Sequence, residues 1–337
     1  MGKFFMPSDV QVNLRLPIEL KEKLHEIAKN NNRSLNNELN ERLINSFAQS
    51  NNSNQALLIK ELDEFLSGYR QIPRLSDIAN RLNFALNEVN EIRFANRLNP
   101  SLIAYELGFD YAAEMEGWFE GRIEPSFEQL KKLAKLLGCS EEWLLFGLGK
   151  PYPVKYAPST FDVKSFINFC LDTKDTPYEK VTSLYFVLSE SSLGELLIIK
   201  QFSNRACQVY ETTLNLGIES RVGVTGTELR SMFVIAIQAL VKSFWQRKTQ
   251  SFVLEPSSFE RIKSGDEHPQ KVLFKFNYLN WIDFIYNDSL DSMSFWDGWD
   301  SIRSDIIRDI RNSEVLSSEK SLVHSQQHEV FKLLNQS

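Results

Sequence analysis

Cysteine is scarce in this 337-residue chain. Cys139, Cys170 and Cys207 are far apart and odd in number. No Cys-x-x-Cys pair occurs, so neither a disulfide framework nor a zinc site is signalled. No unbroken apolar run approaches the roughly 18 residues of a membrane span. The segment Met1–Pro7 lacks the apolar core and cleavage site of a secretory signal. A cytoplasmic location without membrane association is therefore expected. Walker loops, His-Glu-x-x-His and Gly-x-Ser-x-Gly are absent too. No catalytic residue, metal or cofactor is expected on that ground. A basic surplus is missing: the net charge is −6, and only residues 1–50 lean positive, with 7 Lys/Arg against 6 Asp/Glu. Any contact with a polyanion must then rest on placed side chains rather than a broad field.

Length suggests two or three domains, and the patterning suggests where they lie. Gln11-Val12-Asn13-Leu14-Arg15-Leu16 alternates polar and apolar, as a strand does. Pro17 follows, suited to a first helical turn. Leu20, Leu24, Ile27 and Ala28 recur at helical spacing, and Asn30–Asn32 break that helix. Ser34 is a good cap for a second helix striped by Leu35, Leu39, Leu43 and Phe47. Residues 1–48 form the first expected domain, and the polar residues 49–55 a linker. Residues 56–150 read as all-α. The Gly/Pro-rich stretch Gly147–Pro158 reads as a boundary.

Beyond the boundary an α+β domain is expected over 159–312, with a polar tail or loosely docked helix at 313–337. Its elements include a hairpin from Leu196–Phe202 and Ala206–Leu216 turned near Asn204. A short strand is expected at Val222–Val224, a long central helix at Thr227–Lys248, and strands at Ser251–Leu254 and Lys271–Phe276. Trp281–Ile285 and Ser301–Ile310 read as helical. The fold class expected is multidomain: an N-terminal strand with two helices, an all-α middle domain, and a C-terminal α+β domain.

In the first strand Val12, Leu14 and Leu16 share one face, and Gln11, Asn13 and Arg15 the other. One such strand is not stable alone. A second copy would complete an antiparallel ribbon, and a two-stranded ribbon fits the DNA major groove. Arg can bond guanine bidentately, and Asn or Gln adenine. Residues 11–47, with strand, proline, helix break and second-helix cap in register, resemble the Arc-type ribbon-helix-helix repressors. The resemblance implies a homodimer on double-stranded DNA, with Gln11, Asn13 and Arg15 on base edges. It implies that the amide end of the second helix, at Ser34, Leu35 and Asn36, clamps a phosphate. It also implies that Arg33, Glu38 and Arg42 form a structural ion network, as in the Arg-Glu-Arg triad known for Arc itself.

A second resemblance, to Cro-type helix-turn-helix domains, covers residues 95–147. It rests on Ser101–Gly108, Trp118–Ser126 and Leu130–Gly147. The segment that would read bases, Phe109–Gly117, carries three acids and no Lys or Arg. Acids repel phosphate, so dimerisation or protein contact is the expected role there. Arg122 is the one cation nominated as a phosphate contact.

Residues beyond 158 offer weaker signals. Gly223–Thr227 could form an anion nest, but Thr225 with Glu228 reads as an ordinary capping box. His324 and His328 are spaced i,i+4 without a third ligand. Asp283, Asp288, Asp291, Asp297 and Asp300 interleave with Trp281, Phe295, Trp296 and Trp299, as in a half-buried helix-and-turn region with solvated acids. The function expected is a DNA-binding transcriptional regulator, a repressor, acting as a dimer or higher oligomer. The C-terminal half would sense a small molecule, bind a protein or assemble oligomers. The alternative is a DNA-targeted or autoregulated effector or antitoxin of a defence or toxin–antitoxin system, whose C-terminal domain is an enzyme or partner-binding module.

Overall fold

A computed structural model describes residues 15–48, 72–93, 95–219, 224–241, 248–286 and 293–325. The chain divides into two compact units, Met1–Gln71 and Ile72–Ser337.

The first unit contains helices α1 (Ile18–Asn30) and α2 (Leu35–Ala48). Pro17 stands immediately before α1, where its missing amide costs nothing. The helix ends as the Asn run suggested. Asn32 takes a left-handed φ of 53°, and Arg33 N closes on Ala28 O at 2.9 Å. Ser34 then caps α2, its Oγ accepting from Asn37 N at 3.2 Å. Leu24 and Ala28 are buried in the contact with α2. The expected strand lies almost wholly outside the described residues. Of its length only Arg15 and Leu16 are described, and both are non-helical chain. The expected linker, 49–55, also lies outside them.

The second unit begins with five helices: α3 (Ile72–Glu91), α4 (Pro100–Glu106), α5 (Ala113–Phe119), α6 (Phe127–Leu137) and α7 (Glu141–Phe146). Local chemistry punctuates them. Asn99 caps α4 with Pro100 next, and Ser126 with Gln129 forms a capping box on α6. One core holds them, with Ile78, Leu82, Ile103, Met115, Trp118 and Leu130 fully buried.

A five-stranded sheet follows, built from β1 (Val154–Tyr156), β2 (Val181–Ser189), β3 (Glu195–Phe202), β4 (Cys207–Asn215) and β5 (Thr249–Leu254). Its order is β1-β4-β3-β2-β5. The β2–β3 and β3–β4 pairs are antiparallel, while β1–β4 and β2–β5 are parallel. One face is covered by α8 (Val163–Leu171), α9 (Val224–Leu240), α12 (Trp281–Phe284), α13 (Trp299–Asn312) and α14 (Glu314–Ser325). The other face is covered by α10 (Pro256–Ser264) and α11 (Pro269–Leu273). Phe233–Ile237 of α9 are all buried, so this helix is central, as its unbroken apolar run suggested.

Several expectations need correction. Lys271–Phe276 is not a strand: Pro269 opens the short helix α11, whose cap is His268, and the chain then turns. A short apolar run does not distinguish strand from buried helix. Val224 opens α9 rather than ending a strand. The patterning does not predict β1, β2, α8 or α10; β2 is largely buried on both faces and so shows no alternation. The polar C-terminal stretch contains α14, whose Leu316 is buried in the sheet-side core.

The Gly147–Pro158 stretch is not a seam of few contacts, because both sides belong to one unit. The β3–β4 turn reaches the helices: Arg205 Nη1 donates to Ile92 O at 2.6 Å and Asn204 Nδ2 to Lys135 O at 2.7 Å. Gly138, the left-handed cap of α6, lies so close that a Cβ there would sit 2.8 Å from Ala206 Cβ. The buried Glu88 of α3 accepts from His268 N at 2.8 Å and from Lys271 Nζ at 2.6 Å. Lys150 and Asp266 close the seam with a surface ion pair at 2.6 Å.

Candidate nucleic-acid interface

The first unit presents an unusual surface for its size. Leu24 and Ala28 are buried, yet Ile18 is 75% exposed, Ile44 66%, Leu43 47% and Leu20 45%. Two short helices cannot bury both their stripes against each other, so the outer parts of both face solvent in the single chain.

Arg15 is exposed, in the non-helical residues just before Pro17. Gln11 and Asn13, the other expected base readers, lie outside the described residues. Ser34 and Asn36 are exposed and Leu35 is half-buried, all at the opening of α2. The first amides of a helix lack intrahelical acceptors. Ser34 Oγ occupies Asn37 N. The amides of Leu35 and Asn36 stand at the positive end of the helix dipole, which suits an anion.

The expected ion network divides. Glu38 is buried and accepts from Arg42 Nε at 2.9 Å, so that pair meets. Its other oxygen accepts from Asn31 Nδ2 at 2.9 Å, a partner that sequence reasoning missed. Arg33 turns instead to Glu41, with Nη1 2.7 Å from Oε2. The hydrogen bond from Asn31, then that from Arg42, holds the Glu38 carboxyl below the usual range, and the charge of Arg33 adds at longer reach. Asn31 thus joins the end of α1 to the first turns of α2. The signal was present in the Asn run, which was read only as a helix break.

In the second unit, Arg122 is exposed and pairs with its neighbour Glu120. The acids of α5 are engaged locally: Glu116 accepts from Ser101 Oγ at 2.8 Å and Glu114 from Gln129 Nε2 at 3.3 Å. The aromatics among the Asp residues are core. Trp281, Trp296 and Trp299 meet edge to face, and the Trp296 indole donates to Leu216 O at 2.9 Å. Asp283 is half-buried, and burial raises its pKa. Asp288, Asp291, Gly223, the His324 side chain and His328 lie outside the described residues. Among the described residues, no three of His, Cys, Asp and Glu are grouped to hold a metal ion.

Residues 6–52 match the family model for the Arc-like DNA binding domain. The chain carries an Arc-like DNA-binding domain. The matched stretch spans α1, α2 and the expected ribbon strand, and it leaves residues 53–337 outside. No curated protein and no solved structure is significantly similar to the chain.

Proposed function

We propose that the protein is a sequence-specific transcriptional regulator, a repressor, whose Arc-like domain pairs with that of a second copy on double-stranded DNA. The observation that carries this reading is the Arc-like match together with the exposed apolar outer faces of α1 and α2. A second copy supplies what those faces lack: apolar partners for Ile18, Leu20, Leu43 and Ile44. It also supplies a second strand for the ribbon.

On this reading Gln11, Asn13 and Arg15 from each chain read base edges. The Ser34–Asn36 amides and dipole hold a phosphate and fix the register. The Glu38–Arg42–Asn31 cluster keeps α2 in position on α1. Arg122 adds a backbone contact from the helical part of the second unit. Work on DNA places the protein in the cytoplasm or on the nucleoid. The second unit, residues 72–337, governs assembly or response and does not read sequence. Genomic footprinting of full-length protein, with Arg15→Ala as the control, tests this. Discrete sites lost in the variant are expected, and indiscriminate or unchanged occupancy would reject the ribbon as reader.

A further inference from the structure

The helices of the second unit bury one stripe each and leave rings at their ends in solvent. In α6 the buried stripe is Leu130, Leu133, Ala134 and Leu137, and in α7 it is Leu144 and Leu145. Phe127 is the first residue of α6 and Phe146 the last of α7, and both stand off those stripes. They are 53% and 55% exposed, with ring centroids 6.1 Å apart. Leu148, just beyond α7, is exposed too. On α3, Phe84 is exposed and meets Trp143 of α7 edge to face at 5.5 Å. Arg74 of α3 sits over the Phe127 ring at 5.4 Å.

Exposed apolar side chains gathered in one place mark an interaction surface, whereas scattered ones do not. Phe and Arg are also among the residues enriched in protein interfaces. The face is held in shape: Arg81 Nε donates to Leu144 O at 2.9 Å, which fixes the end of α7 on α3. Its charges are balanced. Arg74 pairs with Glu124 at 2.6 Å, and Arg81 feels both Asp77 and Arg74 on the same side of α3. Two groups of each sign give no preference for a polyanion or for a partner of one sign. They suit a partner that carries the same set of charges.

We infer that this face of α3, α6 and α7 pairs with the same face of a second copy of the chain. In such a two-fold contact Phe127 and Phe146 of one copy cover those of the other, and Arg74 of each comes opposite Glu124 of its partner. The occupant follows from the chain itself. Whatever path residues 49–71 take, they cannot span more than about 80 Å. Two copies joined through their Arc-like domains therefore hold their second units at high local concentration. A face too small to associate tightly alone is then occupied within the pair. The inference deepens the assembly role proposed for the second unit, and its choice of occupant rests on that reading.

Sedimentation velocity of full-length protein over about 1–300 µM, a range that reaches weak and small interfaces, separates the two contacts. Leu43→Glu with Ile44→Glu opens the contact proposed between first units. That variant should still form dimers, because the face on α3, α6 and α7 remains. Adding Phe127→Asp and Phe146→Asp should weaken its dimer at least about 100-fold, since each carboxylate is then buried unpaired. Leu148→Asp in place of that pair should weaken it about tenfold. All these positions are exposed in the single chain, and circular dichroism checks that folding is kept. In the Leu43→Glu, Ile44→Glu protein, hydrogen exchange should slow at residues 123–127 and 146–148 as concentration rises. A wild-type first unit that becomes monomeric on Phe127→Asp and Phe146→Asp alone would support this face and reject the first-unit contact instead. Two results would overturn the inference. One is a Leu43→Glu, Ile44→Glu protein that is monomeric at every concentration, which would leave the face to a different protein. The other is a dimer of that variant unchanged by Phe127→Asp and Phe146→Asp.

Discussion

The two units of this chain solve the burial problem in opposite ways. Among the described residues of 72–337, the helical core and both sheet faces bury their large apolar side chains, and Trp118, Trp281 and Trp299 are almost fully buried. Among the described residues of the first unit, α1 and α2 bury Leu24 and Ala28 and leave Ile18, Leu20, Leu43 and Ile44 exposed. At about 25 cal/mol per Å² of apolar surface, burial of Leu24 and Ala28 offsets only a small part of the entropy of ordering two helices. Among the described residues the second unit buries most of its large apolar side chains and the first leaves several exposed, which fits the proposed pairing of the first unit with a second copy.

The sharpest way to break that comparison is to cut the second unit where its sequence looks weakest. Cleaving after Pro153 removes Arg205 from Ile92 O, Ala206 from Gly138, and both donors from the buried Glu88. A fragment of residues 72–153 should therefore lose cooperative thermal unfolding, while 72–337 keeps it. An independent, sharp transition in the short fragment would show that the helices are a separate domain after all.

The next largest effect tests the proposed pairing of the first unit with a second copy. Leu43→Glu combined with Ile44→Glu changes two solvent-facing positions of the single chain. In a dimer interface each buried, unpaired carboxylate costs several kcal/mol. Specific DNA affinity should fall at least about 100-fold, because 1.4 kcal/mol is tenfold. The thermal transition of residues 72–337 should not move. Retained DNA affinity in mobility-shift assays would place the dimer contact elsewhere.

Much of this contrast was legible in the sequence. The alternation over 11–16, the Asn break and the Ser34 cap located α1, α2 and the family resemblance, because each is a local signal with one physical meaning. The Asn204 hairpin and the α9 run were legible for the same reason. What failed was non-local. Gly147–Pro158 has loop composition, but nothing in it reports that Arg205 and Lys271, far along the chain, grip α3. Arg33 and Glu38 have the spacing of a triad, yet only the fold reveals Asn31 within 2.9 Å of the carboxylate.

A smaller, pH-dependent effect sharpens the account of the seam. His268 is fully buried, and burial lowers its pKa from 6.5 to about 3. The folded state thus excludes a proton that the unfolded chain takes up below pH 6.5. Its contribution is intact above that pH and is lost as pH falls toward 3, at up to about 1.4 kcal/mol per unit. Denaturant melts of 72–337 between pH 7 and 5 should show this loss. The difference between wild type and His268→Gln isolates it, and identical slopes would mean the ring is protonated in place.

Discrimination between operator and random DNA by Arg15→Ala, compared with wild type in competition mobility-shift assays, decides whether the ribbon reads bases. Arg15 is exposed and outside the helices, so folding and dimerisation should be unchanged. A loss of about 1–3 kcal/mol in discrimination is expected, the worth of one bidentate base contact. Wild-type discrimination by a folded, dimeric Arg15→Ala protein would contradict base reading by the ribbon.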